Sequence, residues 1–126
     1  MNLYFTVPGR PVPAVRMTQR GKYLDKSQRY LAYKEAVGWK AKEAMGSRKP
    51  TEEHLLVEIW FYIAGRKICD IDNLAKSIMD GMNKIVYLDD KQVVDLVVHR
   101  RGSDNERAEV FVKRQPRVEV EIRGMG

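Results

Sequence analysis

The run HLLVEIWFYIAG (His54–Gly65) constrains the fold most, because it is dense in β-branched and aromatic residues. That composition predicts a β-strand that is buried on at least one face. Four further segments have strand character, and the last of them alternates strictly between apolar and charged residues: Asn2–Val7, Lys91–Gly102, Arg107–Arg114 and Arg117–Arg123. The polar stretch SDNE (103–106) is expected to be a turn.

Two segments with helical spacing lie between these strands. Asp25–Met45 has Tyr30 and Val37 on its apolar face and a basic opposite face, and it is expected to end before Gly46. A second helix is predicted from about Asp72 to Ile85. The order β-α-β-α-β-β-β therefore predicts an α+β fold with a mixed, largely antiparallel sheet and two main helices. A chain of 126 residues is expected to form one domain, 1–126.

The second helix has two faces of different chemistry. Its apolar face, which is expected to pack in the core, consists of Ile71, Leu74, Ala75, Ile78, Met82, Ile85 and Val86. Its polar face consists of Asp72, Lys76, Asp80 and Asn83.

Positive charge is concentrated in the first part of the chain. The formal net charge is +6, and residues 1–50 alone carry 11 Lys/Arg against 3 Asp/Glu. A basic region favours an anionic partner, and nucleic acid is the commonest one. The segment 8–23 contains prolines and glycines and is expected to be extended or hairpin-like. The candidate DNA-binding residues in this segment and the helix after it are Arg10, Arg16, Arg20, Lys22 and Arg29.

The cysteine and histidine content restricts the chemistry. Cys69 is the sole cysteine, and His54 and His99 have no metal-ligand spacing, so disulfide, zinc, haem and thiol chemistry are not expected. The sequence contains no glycine-rich phosphate loop. Neither a signal peptide nor an apolar run that spans a bilayer is apparent. We therefore expect a soluble cytoplasmic protein with no membrane partner and no small-molecule cofactor.

Carboxylates stand at both ends of the second helix, with Asp70 and Asp72 at its start and Asp89 and Asp90 after its end. Each has a structural alternative: an N-cap, an i,i+4 ion pair with Lys76, or a plain turn. Together, however, these oxygen donors suit a hard cation such as Mg²⁺. A helix of about 14 residues is roughly 21 Å long, so Asp89 and Asp90 join Asp70 only if the chain folds back or another subunit supplies them.

A carboxylate centre for Mg²⁺ in a basic protein is suited to cutting phosphodiesters. The metal polarises the phosphate and activates a water molecule, and a nearby lysine offsets the developing charge. Lys76, one turn after Asp72, is in position for that role. The basic first part of the chain would then attract the DNA backbone.

The stretch CDIDNLAKSIMDGMNKIVYLDDKQV (Cys69–Val93) resembles the RusA-type Holliday junction resolvases. The hallmark of that family is an Asp-x-Asp-Asn-x-x-Lys segment at a helix start, followed further along by an Asp-Asp-x-Gln-Val segment. These segments read Asp70–Lys76 and Asp89–Val93 in this chain. The stretch GRPVPAVR is also similar to the family's basic, proline-containing opening.

The resemblance implies a homodimer that binds four-way DNA junctions and cuts them symmetrically with Mg²⁺ or Mn²⁺. It implies a role in DNA recombination and repair, and a bacterial or phage source. The residues that it assigns to catalysis are Asp70, Asp72, Asp90 and Lys76, with the three aspartates also binding the metal; Asn73, Asp89 and Gln92 match motif positions that would support them. A four-way junction has two-fold symmetry, so a two-fold symmetric dimer would present two matched sites.

Two alternative functions stay open. The basic segment, with tyrosines at positions 23, 30 and 33, also suits a nucleic-acid-binding module without chemistry. An unrelated Mg²⁺ phosphohydrolase that acts on small phosphates is the other alternative, although such an enzyme would not need the basic first part.

Overall fold

The computed structural model describes residues 1–17, 25–65 and 69–116. Within these ranges the chain forms, in order, β1 (Asn2–Pro8), α1 (Asp25–Met45), β2 (Leu55–Ile63), α2 (Ile71–Met82), β3 (Val93–Gly102) and β4 (Arg107–Arg114). A single-turn 3-10 helix, Asp90–Gln92, directly precedes β3. Neither α1 nor α2, the helices of the described ranges, is long and apolar enough to cross a bilayer.

The four strands form one sheet in the order β1-β4-β2-β3. β4 pairs antiparallel with both β1 and β2, and β3 pairs parallel with β2. The predicted α+β fold with a mixed, largely antiparallel sheet is therefore confirmed. In the described sheet β3 is an edge strand, and α2 makes the crossover between β2 and β3. Both aspartate-containing segments belong to this crossover.

One face of the sheet packs against the helices. Alternate side chains of β2 are buried on that face: Leu55, Val57, Ile59, Phe61 and Ile63. The predicted burial of this strand on at least one face is thus confirmed. Val37 of α1 and Leu74 and Ile78 of α2 are fully buried in the same cluster. Burial of each such side chain stabilises the fold by about 1.5–3 kcal/mol, so this core fixes α2 on the sheet.

The two helices approach each other most closely at Gly81. A methyl group on Gly81 would lie 2.5 Å from Cγ1 of Val37 and 3.0 Å from the carbonyl oxygen of Lys34. A larger residue fits there only if the helices move apart. Gly81 therefore determines how closely α2 lies against α1.

The limits of the helices agree with the sequence pattern except at the end of α2. α1 has the predicted limits, and Gly46 follows it with φ +61°. α2 ends at Met82, so the prediction that it reaches Ile85 was wrong. The chain leaves the helix because Asn83 is extended and Lys84 adopts φ +69°.

The apolar face of α2 packs largely as predicted. Its buried members are Leu74, Ala75, Ile78, Met82 and Val86, and Ile85 is partly buried against the core. Ile71 is 39% exposed, so its predicted place in the core was wrong. It is the first helical residue and lies between two surface cavities, beyond the elements that cover the rest of the helix. The predicted strand Arg117–Arg123 lies outside the described residues.

Candidate active site

The start of α2 presents two exposed carboxylates, Asp70 and Asp72. Asp70 occupies the N-cap position, but its side chain makes no capping hydrogen bond. Asp72 is exposed in the first turn and accepts a hydrogen bond from the backbone N–H of Asn73 at 3.0 Å. Among the described residues no ion pair joins Asp72 to Lys76. Neither the side-chain cap nor the ion pair therefore accounts for these aspartates.

The polar face of α2 and the edge strand β3 enclose a cleft. This cavity of about 480 Å³ is lined by Asp72, Lys76 and Asp80 of α2, by Asp90, and on its apolar wall by Leu96 and Val98 of β3. The chain thus folds back and brings Asp90 to the same cleft as the start of α2. Asp70 lines a neighbouring cavity of about 390 Å³, which shares part of its wall with the cleft.

Asp89 shapes the segment that carries Asp90. Its carboxylate accepts a hydrogen bond from the backbone N–H of Lys91 at 2.9 Å and so caps the 3-10 helix. This hydrogen bond holds the pKa of Asp89 below its usual value. Asp89 is therefore a capping residue, and Asp90, the first residue of the 3-10 helix, is exposed beside it.

Gln92 fastens the same segment to the rest of the protein with four hydrogen bonds. Its Oε1 accepts from the backbone N–H groups of Leu88 and Asp89 at 2.9 and 3.0 Å. Its Nε2 donates to the carbonyl oxygens of Thr51 and Glu53 at 2.8 and 3.0 Å. The side-chain amide thus uses its full donor and acceptor capacity. It holds the segment against the residues that lead into β2.

The carboxylates of the cleft are spread along α2. The hydroxyl of Tyr87 donates to the carbonyl oxygen of Met79, and the pKa of Tyr87 is raised by burial and by the charges of Asp90 and Asp80. Asp90 therefore lies near the second half of the helix, whereas Asp72 lies about 10 Å earlier along the helix axis. In the described part of the chain no three Asp, Glu, His or Cys side chains are grouped closely enough to hold a metal ion.

Comparison with known proteins identifies the family. The profile described as "Endodeoxyribonuclease RusA" matches residues 8–123, nearly the whole chain. The chain belongs to the RusA family. That family consists of endodeoxyribonucleases of the Holliday junction resolvase type. The chain is also 43% identical, over 44 residues, to the uncharacterized protein YqaN of Bacillus subtilis (strain 168). This match covers 35% of the chain and 31% of YqaN, so the chain spans about a third of that relative.

Asp80 is a cleft residue of this RusA-family chain that sequence reasoning did not assign to the site. The hydroxyl of Tyr30, on α1, donates a hydrogen bond to the Asp80 carboxylate. Burial, this hydrogen bond and the charge of Asp80 raise the pKa of Tyr30. The sequence did hold a signal, because Asp80 lies one turn after Lys76 on the predicted polar face. The hydrogen bond between Tyr30 and Asp80 therefore connects the polar face of α2 to α1.

Arg16 lies next to the cleft, as a DNA-binding role would require. It lines a cavity of about 500 Å³ together with Asn73, Lys76 and Asp80. The backbone N–H of Ala14 donates to the carbonyl oxygen of Asn73 at 2.9 Å, which anchors this segment on the first turn of α2. Lys76 and Asp80 thus line both this cavity and the cleft.

The other predicted DNA-binding residues are placed differently. Arg10 forms an ion pair with Glu106 at 2.6 Å, so its charge is already neutralised. Arg29 is exposed on α1. Arg20 and Lys22 lie outside the described residues. A role in DNA binding stays a prediction for these four residues and for Arg16.

Proposed function

We propose that this chain is a metal-dependent endodeoxyribonuclease that resolves four-way DNA junctions by paired nicks. The observation that carries the proposal is the cleft shared by Asp72, Lys76 and Asp90, with Arg16 in the adjoining cavity. Membership of the RusA family supports the same reaction. By that resemblance, its role would be in DNA recombination and repair, in the cytoplasm of a bacterium or of a phage-infected cell.

The donor groups of the cleft match Mg²⁺ in their chemistry, although no three of the described carboxylates lie close enough together to hold one ion. This ion is usually held through one or two carboxylates and completes its octahedral shell with water and substrate phosphate oxygens. Asp72 and Asp90 offer exposed carboxylates in the cleft, and Asp70 offers one in the neighbouring cavity. We assign metal binding to these three residues. Bound Mg²⁺ or Mn²⁺ would polarise the phosphodiester and make a water molecule more acidic.

The side chains around the metal ligands have separate tasks in this proposal. The ammonium group of Lys76 binds the phosphate and offsets the negative charge that develops on it during cleavage. Tyr30 holds Asp80, which lies one turn beyond Lys76 on the same face, and thereby fixes α2 against α1. Gln92 holds the segment that presents Asp90 to the cleft.

We also propose that the active form is a homodimer. Paired nicks in a symmetric junction require two active sites related by a two-fold axis. Val97, within the VVDLVV stretch of β3, is 40% exposed and pairs with Glu58 on the face of the sheet that points away from α2, so core packing does not account for it. That face of the edge strand, away from the catalytic cleft, is the surface that we assign to the partner. A monomeric protein in sedimentation velocity, with junction DNA absent and present, would contradict the assignment.

The proposed function is tested with a labelled synthetic four-way junction in Mg²⁺ or Mn²⁺, beside a linear duplex of the same sequence. The parent is expected to nick the junction in two symmetry-related strands. Asp70→Asn, Asp72→Asn, Asp90→Asn and Lys76→Ala are each expected to reduce cleavage by a factor of about 100 or more. The Asp→Asn variants should bind the junction as well as the parent or better, because each removes a negative charge near phosphate.

The matched control is Asp104→Asn, which makes the same chemical change at an exposed residue between β3 and β4. It should cut at the parental rate. A parent that binds the junction but never cuts it would favour the non-catalytic binding module. A parent that hydrolyses small phosphates and shows no preference for the branched substrate would favour a phosphohydrolase.

A further inference from the structure

Two arginines of β3 lie beside Asp70. The cavity of about 390 Å³ is lined by Asp70 at the start of α2 and by Arg100 and Arg101 at the end of β3. Ile71 and Val98 line both this cavity and the catalytic cleft, so the two are adjacent. A DNA strand with one phosphate in the cleft would therefore bring a neighbouring phosphate to these arginines.

Neither guanidinium group is neutralised within the part of the chain that the structure describes. No carboxylate forms an ion pair with Arg100 or Arg101 there. Three other described arginines do have such partners: Arg10 with Glu106 at 2.6 Å, Arg107 with Glu109 at 2.8 Å, and Arg114 with Glu53 at 2.7 Å. Both guanidinium groups are therefore available to an anionic ligand beside the acidic site.

The two side chains leave the edge strand on opposite faces, Arg100 on the face of Phe61 and Arg101 on the face of Tyr62. Each is held in place by contacts that leave N–H donors free. Arg100 donates from one nitrogen to the carbonyl oxygen of Cys69 at 3.1 Å. The guanidinium of Arg101 lies 5.1 Å from the ring centre of Trp60, which stacks on His99 at 3.7 Å. Arg101 also donates to the carbonyl oxygen of Arg100 at 2.9 Å. Guanidinium groups held in this way lose little side-chain entropy when they bind phosphate through two parallel hydrogen bonds.

We propose that Arg100 and Arg101 bind the phosphodiester next to the scissile one on the cleaved strand. This proposal rests on the proposed nuclease function and adds a phosphate subsite to it. Their positive charge also offsets the Asp70 carboxylate, which would otherwise repel the strand at this point. The subsite thus lies on the opposite side of Asp72 from Arg16, so that basic residues flank the acidic centre along α2.

The experiment compares Arg100→Gln and Arg101→Gln with Arg114→Gln, a matched control at the far end of the sheet. Junction affinity is measured in EDTA over a range of salt concentrations. The double variant Arg100→Gln/Arg101→Gln is expected to lower the slope of log Kd against log salt by about 0.9, the value for one lost phosphate contact, and each single variant by a smaller amount. Arg114→Gln should leave the slope unchanged. Arg101→Gln keeps the test valid if Arg100→Gln fails to fold, because Arg101 does not contact Cys69.

A second measurement locates the contact. After the cut site is mapped with the parent, a neutral methylphosphonate is placed next to it. This substrate should weaken binding by the parent and have no further effect on the double variant. Unchanged salt slopes would overturn the proposed subsite. So would a loss of affinity from the methylphosphonate that simply adds to the loss caused by the arginine substitutions. Failure of the parent to cut would instead refute the proposed function, and the salt slopes would still decide whether Arg100 and Arg101 bind phosphate.

Discussion

Gln92→Glu is the perturbation whose effect follows most directly from the structure. The introduced side chain has the same shape, and one of its oxygens still accepts from the backbone N–H groups of Leu88 and Asp89. The other oxygen replaces Nε2, which donates to the carbonyl oxygens of Thr51 and Glu53 at 2.8 and 3.0 Å. Two attractive contacts thus become two repulsive ones.

The expected loss of stability is about 2 kcal/mol at neutral pH. Each lost hydrogen bond contributes about 0.5–1.5 kcal/mol, and the two carbonyl groups lose their donor. Gln92 is half-buried, so water partly replaces the lost donors and keeps the cost near the middle of that range. For a domain of this size about 2 kcal/mol corresponds to a fall in Tm of roughly 8 °C. Cleavage of junction DNA should fall as well, because the segment that carries Asp90 loses its attachment.

The loss should also depend on pH. A protonated carboxyl group again has a donor for one of the two carbonyl oxygens, so the pKa of the introduced carboxyl is raised in the folded protein above its ordinary value of about 4.3. A raised folded-state pKa means that folding is favoured by protonation, and this contribution is lost as the pH rises through that value. The loss of stability of Gln92→Glu relative to the parent should therefore be smaller at pH 4.5 than at pH 7.5.

The assay is urea unfolding of the parent, Gln92→Glu and Gln92→Met at both pH values. The methionine variant loses all four hydrogen bonds but introduces no charge, so its deficit should not vary with pH. Equal stability of parent and Gln92→Glu at pH 7.5 would refute the assigned role of the Gln92 amide. The role would also be refuted if the stability losses of Gln92→Glu and Gln92→Met changed with pH in the same way.

Two further predictions concern how α2 is held. Gly81→Ala should destabilise the fold by about 1–3 kcal/mol in chemical unfolding, because its methyl group would lie 2.5 Å from Val37 and the helices must separate. Gly38→Ala, whose methyl group meets the flexible end of a side chain at 3.2 Å, should be near neutral, and equal costs for the two variants would count against the close contact at Gly81. Tyr30→Phe removes the hydrogen bond to Asp80, a charged acceptor, and should cost about 1.5–3 kcal/mol in the same assay. Unchanged stability together with parental cleavage of the junction would show that this bond does not position α2.

Most helices and strands could be predicted from the sequence because their periodicity is local. The alternation in β2 and the helical spacing in α1 each identify one buried face without reference to the rest of the chain. The strand order could not be predicted in the same way. β3 and β4 are consecutive and joined by a short polar stretch, yet β2 lies between them in the sheet. That arrangement depends on pairings between residues far apart in the chain.

The candidate site could be predicted in its residue types but not in its arrangement. Asp72 and Lys76 were identified from their spacing and chemistry, Asp90 was identified from the resemblance to the RusA family, and the three line one cleft. The role of Asp80 depends on Tyr30, which lies 50 positions earlier, so no local pattern reveals the contact. The cap formed by Asp89 and Gln92 is different, because an N-cap residue and Gln at the third position after it form a recognisable local motif.

The hydrogen bonds of Gln92 have a consequence for how the site tolerates change. They hold the Asp90 segment against Thr51 and Glu53, two residues that precede β2. Asp72 and Lys76, by contrast, belong to α2. Two stretches that are far apart in the sequence therefore hold the two sides of the cleft. Insertions or deletions between α2 and Asp89 would disturb the core as well as the cleft, because Val86 and Tyr87 of that connection are fully buried.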